Sequence, residues 1–188
     1  MRADALDGGF ADMPVQAARV FRAAMTAMAR PGRITEVEGA APPPPLSPAA
    51  GALILTLCDP ETPLHLAGAH DTPAVRDWIA FHAGAPAAPR ERAHFAVGTW
   101  EALLPLDGYR IGTPEFPDRS ATLIVDMDRL ESGGVTLRGP GIRGTATLNL
   151  PAVAPFVANA ARFPLGLDFY FCAGQRLSAL PRSTTVEG

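Results

Sequence analysis

The sequence predicts an α/β protein built on a mixed sheet. Helical stripes alternate with short apolar, strand-like runs along most of the chain. Several helices open on a capping residue followed at once by proline, and in the last third two strand-like runs are joined only by a glycine-rich loop, which implies some hairpin pairing.

Asp12 as N-cap and Pro14 in the first turn start a helix that ends before Pro31-Gly32, with Val15, Ala18, Phe21, Met25 and Met28 on one face. That stripe is expected to pack. Residues 33–37 read as a short strand and 41–48, APPPPLSP, as an extended polyproline connection. Ser47-Pro48 then opens an apolar helix toward Leu57, and Asp59-Pro60-Glu61-Thr62 turns the chain into the buried strand Leu64-His65-Leu66. Thr72-Pro73 begins a helix through Val75, Trp78, Ile79 and His82, which closes near Gly84. Residues 94–97 form the next strand, 100–104 a short helix and 121–125 another strand. A glycine-rich hairpin follows, then a helix capped by Asn149 that carries Val153, Phe156, Val157 and Ala160. The last strands are 166–172 and 177–180.

With 188 residues and 47% AVILMFWYC, the chain can bury one good core, so a single domain over 1–188 is expected. The formal net charge of −3 gives no basic face, so neither nucleic acid nor an anionic membrane is an expected partner. Cys58 and Cys172 stand alone in apolar surroundings and read as reduced core residues. The first thirteen residues contain no apolar h-region and no run has the length to span a bilayer, so the expected location is cytoplasmic. All sixteen Lys+Arg are arginine. Without lysine the chain has neither a Walker A phosphate contact nor a Schiff-base amine.

Gly139, Gly141 and Gly144 in GVTLRGPGIRGTATLNL (134–150) spell G-x-G-x-x-G. In a dinucleotide fold the third glycine opens a helix, but here a Thr-rich strand pattern follows. A kinase-type loop requires a lysine on the next strand and further motifs that are absent. Two readings stay open: a plain hairpin or bulge that uses glycine for positive φ, and an anion contact through Arg138, Arg143 and the loop amides. Other chemistry is sparse. His65, His70, His82 and His94 lack metal-ligand spacing, and no G-x-S-x-G is present. His65 reads as a core histidine, whereas His70-Asp71 in a polar turn can orient as a pair. Asp59 and Glu61 suit general acid/base work, yet Asp-Pro-Glu-Thr is equally ordinary turn and capping chemistry.

Five segments carry a further signal: FRAAMTAMARPG (21–32), LILTLCDPETPL (53–64), GTPEFPDRSATLIV (112–125), LRGPGI (137–142) and the closing FPLGLDFYF (163–171) with ALPRSTTV (179–186). In this order they resemble the PhnH family, the H subunit of bacterial carbon–phosphorus lyase. Ser183 departs from the Pro-Arg-Thr-Thr ending of that family but retains a hydroxyl.

The resemblance implies a homodimeric three-layer α/β/α protein whose sheet is like the large domain of pyridoxal-phosphate transferases, without that cofactor or any other. It implies an accessory subunit that joins the G, I and J subunits in a core complex and supports phosphonate catabolism. The reaction so implied moves methylphosphonate onto C1 of the ATP ribose and displaces adenine. Autonomous catalysis is not expected, and an enzyme or a binding-only homodimer acting on a small phosphorylated ligand are the alternatives. For a phosphonate or ATP-derived ligand, the candidate contacts are Arg138, Gly139, Gly141, Arg182 and Asp59, with Arg138 and Arg182 as the charged partners.

Overall fold

The structure, a computed structural model, describes residues 7–188, so the start of the N-terminal segment discussed above lies outside the described residues. Five helices, α1 (Met13–Ala29), α2 (Pro48–Leu57), α3 (Pro73–His82), α4 (Trp100–Leu103) and α5 (Ala154–Ala160), accompany nine strands among these residues. The strands are β1 (Thr35–Glu36), β2 (Leu64–Leu66), β3 (Phe95–Gly98), β4 (Thr122–Asp126), β5 (Val135–Arg138), β6 (Ala146–Leu148), β7 (Asp168–Ala173), β8 (Arg176–Leu180) and β9 (Thr185–Glu187). The protein is thus α/β with a mixed sheet of six strands in the order β1-β8-β7-β4-β3-β2. β2, β3, β4 and β7 run parallel, with Phe95, Thr122 and Asp168 in register at their amino-terminal ends. β8 returns antiparallel to β7 and carries β1 on its outer edge.

The glycine-rich hairpin does not join this sheet. β5 pairs with β6 on one side and with β9 on the other, forming a separate three-stranded antiparallel sheet. β9, three residues long and paired only at that edge, has too short a pattern to be read as a strand beforehand.

The two faces of the main sheet are covered differently. One receives α1, α2 and α3 through Val20, Ala24, Leu53, Ile54, Trp78 and their neighbours. The other receives α4, α5 and the small sheet through Trp100, Leu103, Phe156, Leu137 and Val186.

Helix starts follow the sequence. Asp12, Ser47, Thr72 and Thr99 each accept a backbone N–H of the first turn, and Gln16 returns the bond to the Asp12 amide. Four expectations are corrected. Most of the stripe expected to pack on α1 does not: Val20, Ala24 and Ala27 are buried with Met28 partly buried against the same core, while Val15, Phe21 and Met25 face solvent. The facing α2 begins Pro-Ala-Ala-Gly-Ala, and small residues on both helices let the backbones approach. The polyproline run is broken by a turn at Pro44-Pro45, where the Leu46 N–H reaches Pro43 O at 3.3 Å. The strand expected at 33–37 is confined to Thr35–Glu36. Asn149 caps no helix; its side chain accepts from Glu131 N–H at 2.8 Å and donates to Arg129 O at 3.0 Å. α5 begins five residues later because Pro151 keeps Leu150 out of the helical region.

Both cysteines are buried and unpaired. Burial, seconded by the nearby Asp59, pushes the Cys58 thiol up to about 12, and burial also holds Cys172 well above the ordinary thiol range. At pH 8 neither thiol forms thiolate in the folded state, so Ellman's reagent is expected to modify neither cysteine until denaturant is added, when both react.

Gly141 has φ +81°, and a Cβ there would lie 1.9 Å from Ala29 O at the end of α1. Gly144 has φ +80° with open space around it. Gly141→Ala should therefore lower the urea-unfolding free energy by about 3 kcal/mol, near the top of the ordinary range for point changes. Gly144→Ala should cost only the left-handed backbone term of about 1 kcal/mol.

Candidate functional site

A cleft opens at the amino-terminal edge of the parallel strands, with a volume of about 520 Å³. Its floor is Phe95 and Thr122, the first residues of β3 and β4, and its walls are His94, Arg110, Asp118, Arg119 and Ser120. The backbone fixes these walls to the sheet. His94 O accepts the Thr122 N–H at 2.9 Å, and Arg110 O accepts the Ala121 N–H at 2.7 Å. Between Arg110 and Ser120 the chain loops out and back, closed by an Ile111–Ser120 bridge and by reciprocal backbone bonds between Thr113 and Phe116. Gly112 permits this closure: at φ +81° a Cβ would meet Pro117 O at 2.6 Å.

Arg182 stands behind the cleft and ties the tail to it. Its guanidinium forks onto Asp168, with Nε to Oδ1 at 3.1 Å and Nη2 to Oδ2 at 2.5 Å, while its backbone N–H also reaches Oδ1 at 2.8 Å. The remaining donors go to Pro117 O at 2.7 Å, Pro164 O and the Ser120 hydroxyl. With side chains 12% and 23% exposed, this Arg–Asp pair is largely withdrawn from water, and planar bidentate geometry is what makes such a pair tolerable.

Two further arginines, Arg110 and Arg119, stand in the cleft wall. Like most arginines of the chain, and unlike Arg76, Arg129, Arg138 and Arg182, they take part in no ion pair among the described residues; their place in one cleft is what sets them apart. The Arg119 guanidinium lies 4.0 Å from the centroid of the Phe116 ring, a cation–π contact that narrows its range of positions. Two guanidinium groups beside two hydroxyls make a surface suited to an oxyanion.

A family model described as "Bacterial phosphonate metabolism protein (PhnH)" matches residues 8–187. The chain belongs to the PhnH family. It is 42% identical over 189 residues, covering 96% of this chain and 94% of the relative, to the Alpha-D-ribose 1-methylphosphonate 5-triphosphate synthase subunit PhnH of Rhizobium meliloti (strain 1021). It is also 29% identical over 179 residues, covering 88% and 83%, to the Putative C-P lyase subunit protein HtxG of Stutzerimonas stutzeri. Three PhnH-like stretches of the sequence, 112–125, 163–171 and 179–186, are the ones that Arg182 joins at the cleft.

The residues singled out from the sequence fall at three places. Arg182 is at the back of the cleft, with its donors engaged within the protein. Arg138 lies on the small sheet, half exposed, and its Nε donates to Glu187 at 3.1 Å. The structure sets the Gly139 turn against the tail, where a Cβ would lie 3.0 Å from Ser183 O, and Gly141 against the end of α1. These close approaches are strand-linking and packing roles. Asp59 is exposed in its turn, accepting from Thr62 Oγ1 at 2.6 Å and from Glu61 N–H at 2.9 Å. The Thr62 hydroxyl first, then the Glu61 amide, hold its carboxyl below the usual range, so its small contribution is present at neutral pH and fades as the solution is acidified through that lowered value.

His70 is a correction. It pairs not with Asp71 but with Asp126, Nε2 to Oδ2 at 3.1 Å, deep at the carboxyl end of β4. The same Oδ2 accepts the N–H of Ser47, the cap of α2, so the pair fastens a helix start to the sheet. Asp71 binds Arg76 instead. His65 is half buried with Nδ1 3.1 Å from Ala88 O. The cleft's own Arg110, Arg119 and Ser120 were missed; the one signal for them was the segment 112–125, and Arg110 lies outside it. Among the described residues, no three His, Cys, Asp or Glu side chains gather closely enough for a metal ion, and no helix is long and apolar enough to cross a membrane.

Replacing Arg182 by Ala should cost about 3 kcal/mol, since Asp168 is left without its partner. Arg182→Lys should recover less than half of that, because an ammonium cannot serve Asp168 and Ser120 together in the fork geometry. Urea denaturation of the two variants against wild type measures both.

Proposed function

We propose that this PhnH-family chain is an accessory subunit of a carbon–phosphorus lyase core complex, acting with G, I and J subunits and as a homodimer. In this reading it supports the transfer of methylphosphonate to C1 of the ATP ribose with release of adenine. The observation that carries the proposal is the near full-length similarity to relatives named as subunits of that synthase and of a C-P lyase. A surface suited to partners supports it: Phe21 and Met25 on α1 are 50% and 56% exposed, and Phe81, Phe116 and Phe163 also stand in solvent. An accompanying proposal is that the sheet is of the pyridoxal-phosphate transferase kind without the cofactor; the lack of lysine supports the second half of it, because no side-chain amine can form the aldimine. The cytoplasm is the compartment in which such a complex would meet ATP.

The sequence candidates enter this reading in three ways. Arg182 shapes the ligand cleft from behind. Arg138 and the Gly139-Pro140-Gly141 turn anchor the tail that carries Arg182, and Asp59 turns the chain into β2.

Co-expression with carbon–phosphorus lyase G, I and J subunits, affinity capture of this chain and mass measurement should yield one complex containing all four. The gene should also restore growth on methylphosphonate as sole phosphorus source to a strain lacking its H-subunit gene. Capture of the chain alone, together with no growth, would overturn the proposal.

A further inference from the structure

We infer that the cleft at the amino-terminal edge of the sheet binds the phosphate or phosphonate group of a small organic molecule, with Arg110 and Arg119 as its charged contacts and the Ser120 hydroxyl as a neutral donor. The inference deepens the subunit reading and rests on it only for the choice of probes.

The first support is the charge left unspent. Arg110 and Arg119 line the cleft without a carboxylate partner among the described residues, and Phe116 holds the Arg119 guanidinium in place beneath its ring face. Two cations that line one cleft without an ion-paired carboxylate are what a bound oxyanion satisfies, and a guanidinium meets two oxygens of a tetrahedral group at once.

The second support is the state of Ser120. Its Oγ accepts from Arg182 Nη2, which occupies an oxygen lone pair and leaves the hydroxyl proton free to point into the cleft. Arg182 is thus a positioning residue: its own charge is matched by Asp168, and its effect on a ligand runs through the serine. Thr122 offers a second hydroxyl from the strand end.

The third support is size and sign. A volume of about 520 Å³ is within the range of small-molecule sites and exceeds what an inorganic ion fills. Asp118, the one carboxylate in the wall, disfavours an anion at its own end and there can accept from a neutral hydroxyl of the ligand. The carboxyl edge of the same strands, where open α/β sheets commonly bind ligands, is instead occupied by the His70–Asp126 pair and the start of α2.

Titration calorimetry on the full chain, with ATP, methylphosphonate and adenosine as probes, tests the inference. ATP or methylphosphonate is expected to bind, and which of them binds tighter tells a nucleotide from a free phosphonate as the source of the group. Adenosine, which lacks the anion, is expected to bind at least tenfold more weakly than ATP. Arg110→Gln and Arg119→Gln should each weaken binding of the anionic probe by about tenfold to a hundredfold, as for a charge-assisted hydrogen bond, and Ser120→Ala by about fivefold. Arg22→Gln on α1 should leave affinity unchanged, and thermal melts of the partly exposed Arg110 and Arg119 variants should match wild type. Wild-type affinity in both arginine variants, adenosine binding as tightly as ATP, or no binding of any probe by the chain alone or assembled with G, I and J would overturn it. A chain that assembles but binds no probe sinks this inference alone; one that binds anions but neither assembles nor restores growth sinks the subunit reading alone.

Discussion

The fork of Arg182 on Asp168 is the contact on which the arrangement of the amino-terminal edge depends. A guanidinium this far from water is stable only when its donors are nearly all used, and here they are shared among a strand end, a loop and a helical turn: Asp168 of β7, Ser120, and the carbonyls of Pro117 and Pro164. One planar group therefore sets the relative position of segments 62 to 65 residues apart in sequence. The cleft exists because those segments are held there. Its floor comes from the register of Phe95, Thr122 and Asp168 across three parallel strands, so the sheet supplies the spacing and the arginine supplies the wall.

The two faces of that sheet solve the burial problem with different materials. The face under α1 and α2 is built from alanine, valine, leucine and isoleucine, and the small side chains bring helix backbones close. The opposite face is built on aromatics: Phe156 meets Trp100 at 4.8 Å, Phe169 at 5.0 Å and Phe171 at 5.8 Å between ring centroids, the latter two edge to face. The short α4 and α5 cover part of this face, and the small antiparallel sheet closes the remainder through Leu137, Leu148 and Val186. The close packing of α1 by its alanines has a consequence on its other side. Phe21 and Met25 are turned to solvent, which sets large apolar side chains beside the exposed Arg19 and Arg22 on the helix's outer face.

Local chemistry was legible where it is decided locally. Asp12, Ser47 and Thr72 before their prolines cap helices as their residue types require, and β2, β3, β4 and β7 appear near the apolar runs that suggested them. Asp59 behaves as the turn residue that Asp-Pro-Glu-Thr describes. The PhnH-like segments pointed to the right neighbourhood, since Arg182 and Ser120 belong to two of them. The partners did not follow: Arg182 was read as a charge facing a ligand, and its carboxylate, Asp168, lies fourteen residues away on a strand whose facing residues the sequence does not specify. His70 was placed beside Asp71 because they are neighbours in the chain, whereas the buried partner is Asp126, 56 residues on.

By itself, then, the sequence determined the α/β class, the positions of most helices and strands, the absence of a side-chain amine through the lack of lysine, and the family through motif order. These depend on side-chain type, capping and period, which act within a few residues. Tertiary structure alone decided which face of α1 is buried, that the glycine-rich hairpin and tail form a sheet of their own, and that Arg110, Arg119 and Ser120 share one cleft. The physical reason is the same in each case. Two faces of α1 are apolar enough to pack, and the choice between them belongs to the small residues of α2; the hairpin edge is completed by three tail residues brought back from 185–187; and the cleft residues meet only because parallel strands align their amino-terminal ends across the sheet.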